Sequence, residues 1–212
     1  MSRSGDGLLL RFPGPVRAVH RATAVLMGVC IATAAVLYVP GLSVLVGHRY
    51  LVEQVHVMAG FALPLPLLLG LRSAAVRADL GRLNRFTAVD RQWLRRKARR
   101  AGGLPVGKFN AGQKLNGALS GGAVLVLLGT GVLMYWTGLA RLTFRTGATF
   151  VHDWTALSLG LLLTGHVLKA SRDRDAADGM RTGQVPRWWA EEHHPAWADD
   201  PAVDVGDDGT VV

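Results

Sequence analysis

"VHDWTALSLGLLLTGHVLKA", residues 151–170, places two histidines, His152 and His166, near opposite ends of one apolar stretch. Fourteen residues separate them, and at about 100° per residue the second comes within roughly 40° of the first, about 21 Å further along the axis. One helix therefore presents two imidazoles on nearly the same face at two depths. The hydrocarbon core of a bilayer is about 30 Å thick, so if this helix crosses a membrane both rings lie inside it or at its margins. Ionisable side chains at that depth are costly and are kept for function.

The rest of the chain says that it does cross one. Half of its 212 residues are hydrophobic, yet its formal net charge is +9, so apolar and basic residues must be segregated. Ala22 to Tyr38 and Leu115 to Trp136 contain no charged residue, and Val55 to Leu71 is interrupted only by His56. With the opening stretch these make four spans. Arg11, Arg17 and Arg21 ahead of the first run imitate a secretory signal, but the run is long for a signal core and three more spans follow it. Cys30 is the only cysteine, which rules out an internal disulfide and leaves it as a small packed hydrophobe. Pro64 and Pro66 are expected to kink the second span about two turns past His56.

Orientation follows from the basic residues. Twelve of them, Arg72, Arg77, Arg82, Arg85, Arg91, Arg95, Arg96, Lys97, Arg99, Arg100, Lys108 and Lys114, lie between spans two and three. The other connections hold only Arg49, and Arg141 with Arg145. The basic loop is therefore cytoplasmic, and so are both termini, in agreement with Arg3, Arg11, Arg17 and Arg21 at the start and Lys169, Arg172, Arg174, Arg181 and Arg187 after span four. Topology accounts for this charge without a nucleic-acid partner. The resulting division is a cytoplasmic segment at 1–17, a membrane domain at 18–170 with a basic loop at 72–107, and a cytoplasmic tail at 171–212.

Depth then pairs the histidines. His20 precedes span one on the inside and His166 closes span four there, while His56 lies about one turn into span two from the outside, where His152 opens span four. Two pairs of neutral imidazoles, each at one level, form two axial ligand sets for haem iron in an all-α integral-membrane protein, an antiparallel four-helix bundle with two haems between its helices. A lone intramembrane histidine is more often a hydrogen-bonding residue between helices; four at matching depths favour haem. His48, His193 and His194 lack such partners and read as surface residues, the last two without the further ligands that zinc needs. Gly60 is expected to clear room for a macrocycle, and most of Gly121, Gly122, Gly129, Gly131, Gly160 and Gly165 to let helices pack closely. Arg17, Arg21 and Arg49 are candidate partners for haem propionates. Asp153 either orients the neighbouring ligand ring or meets a partner protein.

The stretch "GKFNAGQKLNGAL", residues 107–119, resembles the signature of the cytochrome b, or gamma, subunits of respiratory formate dehydrogenases. "RFPGPVRAVHRATA" near the start and "GQVPRWWAEEHHPAW" near the end are similar to that family's termini, so the likeness extends over residues 11–197. The resemblance implies that His20 and His166 hold an inner haem b, that His56 and His152 hold an outer one, and that Asn110, Gly112 and Gln113 bind membrane quinone beside the inner haem. It also implies an iron-sulfur subunit docking on the outer face, a molybdenum- or tungsten-type dehydrogenase subunit, and a place in the bacterial cytoplasmic membrane.

Chemically the motif suits a quinone, since Asn110 and Gln113 offer amide groups three residues apart and Gly112 lets the backbone approach a ring. Without the resemblance, a helix cap formed by Asn110 is the stronger reading. The expected role is electron transfer from the outer subunit through two haems to quinone, with no primary dehydrogenase site in this chain, which holds no nucleotide fingerprint and no cysteine cluster. A dihaem cytochrome serving a hydrogenase or another molybdenum-type enzyme would have the same ligands. A haem-free transporter or scaffold is the rival from outside that class.

Overall fold

A computed structural model describes residues 7–95, 97–98 and 102–200. Arg3, Arg96, Arg99 and Arg100 of the charge argument, and the last part of the tail, lie outside the described residues. Among those described, the chain runs through strand β1 (Leu8–Leu10) and helices α1 (Gly14–Tyr38), α2 (Pro40–Val46), α3 (Arg49–Ala62), α4 (Leu65–Gly70), α5 (Ala74–Asn84), α6 (Ala88–Leu94), α7 (Ala111–Tyr135), α8 (Leu142–Arg172) and α9 (Arg174–Thr182). Strand β2 (Gln184–Pro186) and the short helices α10 (Arg187–His193) and α11 (Pro195–Ala198) complete it.

Among the described residues three stretches are long and apolar enough to cross a membrane: α1, the α3–α4 stretch Arg49–Gly70, and α7. The expected fourth span falls in α8, whose 31 residues suffice in length but include His152, Asp153, His166 and Lys169. That helix starts ten residues ahead of His152, so His152 does not open it as the apolar pattern suggests. Hydropathy marks where a helix enters lipid, whereas the helix itself continues through the polar turns that carry Arg145. The span-two kink is present as a break between Ala62 and Leu65, where the Leu63 N–H reaches back only three residues to Gly60 O. Pro64 removes the donor that would continue the ladder.

The residues group into two compact units. One comprises Ala18–Arg72 and Ser120–Thr164, the other the segments up to Arg17, Ser73–Leu119 and from Gly165 onward. In the first, apolar side chains such as Val25, Leu125 and Leu161 stand two-thirds or so exposed, the distribution expected where lipid is the solvent.

The second unit has a water-type core. Leu9, Val185, Trp189, Ala190, Trp197 and Ala198 form a buried cluster, organised by an antiparallel β1–β2 pair that matches Leu9 with Val185. This small sheet departs from the all-helical expectation, because two three-residue strands paired from Leu8 with Pro186 to Leu10 with Gln184, at opposite ends of the chain, leave no periodic trace. Gly183 makes the join possible: its φ is +100° and its carbonyl accepts from the N–H groups of Arg11 and Phe12 at 2.8 and 3.0 Å. A Cβ there would lie 2.9 Å from Phe12 O, so only glycine fits. The basic loop is folded too, with α6 started by a capping box between Thr87 and Asp90.

Candidate functional site

His56 on α3 and His152 on α8 meet with ring centres 6.3 Å apart and planes inclined at 64°. Each ring is held by a threonine of another helix: Nδ1 of His56 lies 2.9 Å from Thr33 Oγ1 on α1, and Nδ1 of His152 lies 2.9 Å from Thr130 Oγ1 on α7. Thr33 Oγ1 is 2.7 Å from Val29 O, and Thr130 Oγ1 is 2.8 Å from Val126 O. A carbonyl can only accept, so a hydroxyl that gives its proton to its own helix leaves its oxygen to accept from the imidazole. In that arrangement both rings carry their proton on Nδ1, and Nε2 keeps its lone pair.

This donor set fits a haem iron. A metal–nitrogen bond of about 2 Å, with roughly 1.1 Å more from nitrogen to ring centre, places two axial imidazoles about 6 Å apart, centre to centre. The observed separation matches. A Cβ added at Gly60 would meet nothing within 4 Å, in keeping with clearance there. The expected close packing at Gly121, Gly122, Gly129 and Gly160 is not found, since nothing stands within 4 Å of those positions either. Gly131 does lie against the site, 3.6 Å from His152 Cε1 measured from such a Cβ. Asp153 accepts a hydrogen bond from the Tyr38 hydroxyl, so the side chain that orients His152 is Thr130.

His20 stands on α1 and His166 on α8, in different units. Their pairing rests on the sequence alone. Among the candidate propionate partners, Arg17 donates to Arg181 O at 3.0 Å and Arg49 to Leu37 O at 2.9 Å, each tied to backbone.

The segment around Asn110 is built with equal care. The Gln113 N–H donates to Asn110 Oδ1 at 3.0 Å and the Asn110 N–H donates to Gln113 Oε1 at 2.9 Å. This reciprocal arrangement is a capping box for α7, so the cap that sequence chemistry favours exists and uses both side-chain oxygens. The side-chain amide nitrogens stand outside it. Gly112 does face a ring, the indole of Trp93, which would be 3.0 Å from a Cβ.

Ion pairs flank the cap: Lys108 reaches both Asp79 oxygens at 2.7 and 2.8 Å, and Lys114 reaches Asp90 at 2.7 Å. All four side chains are at most 10% exposed. Burial pushes the Lys108 ammonium below its usual range, against the pull of Asp79. Burial acts to raise Asp90, but hydrogen bonds from Lys114 and Thr87 outweigh it and hold the carboxyl below the usual value. Asp79 and Asp90 are the two acids among the bases of residues 72–114, a signal overlooked when that stretch is read for topology alone.

His194, expected at the surface, is 2% exposed. Its Nδ1 lies 2.7 Å from Gly107 O, and its Nε2 lies 2.9 Å from the guanidinium of Arg11, itself 1% exposed. The guanidinium also donates to Lys108 O at 3.0 Å and sits 4.6 Å from the Trp189 ring. Arg11 cannot accept and Gly107 O cannot donate, so His194 is neutral with its proton on Nδ1. Burial, then the charge of Arg11, pushes its pKa down to about 3, and burial lowers Arg11 to about 10. Among the described residues no three His, Cys, Asp or Glu side chains converge as a metal-binding group.

The apolar spans, taken with the family they match, define a membrane cytochrome. The chain belongs to the prokaryotic cytochrome b561 family, whose profile matches residues 11–182, and is thereby a haem-b electron-transport protein. Over 95 residues it is 32% identical to the cytochrome b556(Fdn) subunit of the nitrate-inducible formate dehydrogenase of Escherichia coli strain K12. The same subunits of Escherichia coli O157:H7 and Shigella flexneri match equally. Each match covers 43% of this chain and 44% of the relative, less than half the length of either.

Proposed function

We propose that this chain is the membrane cytochrome b subunit of a respiratory dehydrogenase complex of the formate dehydrogenase type. Helices α1, α3–α4, α7 and α8 form its antiparallel four-helix bundle, residues 18–170, in the bacterial cytoplasmic membrane with both termini inside. The observation that carries the reading is the His56–His152 pair, whose spacing and whose two hydroxyl-bonded Nδ1 atoms suit axial ligation of one iron. His56 and His152 hold the haem nearer the outer face, and His20 and His166 hold the inner one. Haem supplies a one-electron carrier in each place.

Electrons enter from an iron-sulfur subunit outside, fed by a molybdenum- or tungsten-type dehydrogenase subunit. They leave to quinone at the start of α7, where the amide nitrogens of Asn110 and Gln113 donate to the quinone oxygens while their side-chain oxygens hold the helix start. Gly112 lies between them. Quinone reduction takes up protons on the inside, so turnover adds to the membrane potential. The test is the haem-to-protein ratio and absorption spectrum of the membrane-extracted chain. Two low-spin, non-covalent b haems per chain are expected; a ratio near zero in well-folded material refutes the reading.

A further inference from the structure

We infer that Thr33 and Thr130 are positioning residues for haem ligation, each fixing the tautomer, orientation and basicity of one ring of the His56–His152 pair. The inference rests on the proposed ligand role of that pair. Three features argue for it together. The two threonines stand on different helices, α1 and α7, yet make the same contact at the same distance, 2.9 Å to Nδ1. Both hydroxyls lie within hydrogen-bond distance of carbonyls one turn back on their own helices, so each can give its proton there while its oxygen accepts from the ring. Both contacts are partly buried, and a ring that lost its hydroxyl would have only backbone carbonyls beside it, Cys30 O at His56 and Leu127 O at His152, each within reach of a threonine hydroxyl of its own helix as well.

The consequence is electronic as well as steric. An imidazole that donates from Nδ1 is a more basic ligand at Nε2, and a more basic ligand favours the ferric over the ferrous iron. The two hydrogen bonds therefore hold the outer haem at a lower potential than the same ligands would give alone. They also fix the 64° angle between the ring planes, which governs how far the two iron orbitals that interact with the rings are split. Axial planes so far from parallel give a strongly anisotropic low-spin ferric signal in electron paramagnetic resonance.

The experiment compares Thr33→Val, Thr130→Val, Thr33→Ser and Thr130→Ser in the full membrane-extracted chain by redox titration and electron paramagnetic resonance. Thr164→Val is the control, because its hydroxyl bonds only Gly160 O on its own helix. Valine keeps the shape and removes the hydroxyl. Each valine variant is expected to raise the potential of the component that His56→Ala eliminates, and to leave the other unmoved. The expected size is a roughly three- to tenfold change in the ferric-to-ferrous ratio, about 30–60 mV for one electron.

The serine variants should restore potential and signal, and the Thr164 variant should change neither. Haem lost with valine but kept with serine supports the inference as well. Unchanged potential and anisotropy in haem-replete valine variants overturn it, as does equal haem loss with valine and serine, which would assign the effect to side-chain volume. Failure of the ligand reading itself is separately visible: His56→Ala would then keep every haem component, and the inference falls with it.

Discussion

Acid should release the C-terminal tail through one residue. His194 is buried neutral between a carbonyl and a guanidinium, with its pKa pushed to about 3 from an ordinary 6.5. Below pH 6.5 the opened tail binds a proton that the closed tail refuses, so the closed form loses stability as pH falls, until about pH 3, where both forms are protonated. At pH 5 the gap already spans about 1.5 units, or about 2 kcal/mol, a roughly 30-fold rise in opening. The full 3.5 units amount to about 4 to 5 kcal/mol. Arg11, with its pKa near 10, stays charged throughout and cannot relieve the conflict.

Amide hydrogen exchange of residues 184–198 in the detergent-extracted chain, corrected for the intrinsic pH dependence of exchange, reads this opening directly. Protection should be flat above pH 7 and fall steadily toward pH 4. His194→Asn keeps a donor for Gly107 O and has nothing to titrate, so it should start less protected and lose most of the acid response. Equal acid responses in the two proteins, or a parent chain with constant protection from pH 7 to 5, would show that His194 is not the controlling group.

Three further outcomes are expected. His56→Ala should remove the outer haem and leave the inner, and His20→Ala the reverse; redox titration in which both eliminate one and the same component would break the depth pairing. Asn110→Ala and Gln113→Leu should spare the haem spectrum and donor-driven reduction while slowing quinone-driven reoxidation about tenfold, near 1.4 kcal/mol, with the double change worse. Loss of the capping box will add about 0.5–2 kcal/mol of local destabilisation, so hydrogen exchange at the start of α7 should be measured alongside. Asp79→Ala strands the buried Lys108 ammonium and should cost about 3–5 kcal/mol, whereas Asp79→Leu with Lys108→Met should recover most of it in thermal unfolding.

What the sequence determined by itself is what long apolar runs and residue depth can report. Helical periodicity and charge-free length point to spans around Ala22, Val55 and Leu115, and two proline positions announce the break after Ala62. Reading depth along antiparallel spans brings His56 to His152, because a bilayer imposes one coordinate, distance across the membrane, on every span. Nothing in that coordinate tells which neighbour touches a ring. Thr33 and Thr130 are ordinary small polar residues in sequence, and only lateral helix packing sets them against Nδ1.

The same holds outside the membrane, where water imposes no such axis. His194 reads as a surface residue, and Arg11, Asp79 and Asp90 show no partner in the sequence, because the groups they meet lie 24 to 183 positions away in the chain. Tertiary structure decided that these charges are buried. Leu9 packs with Val185, Trp189 and Trp197 in one buried cluster, and in a low-dielectric interior a guanidinium, two ammonium groups and two carboxylates persist only where each meets a partner.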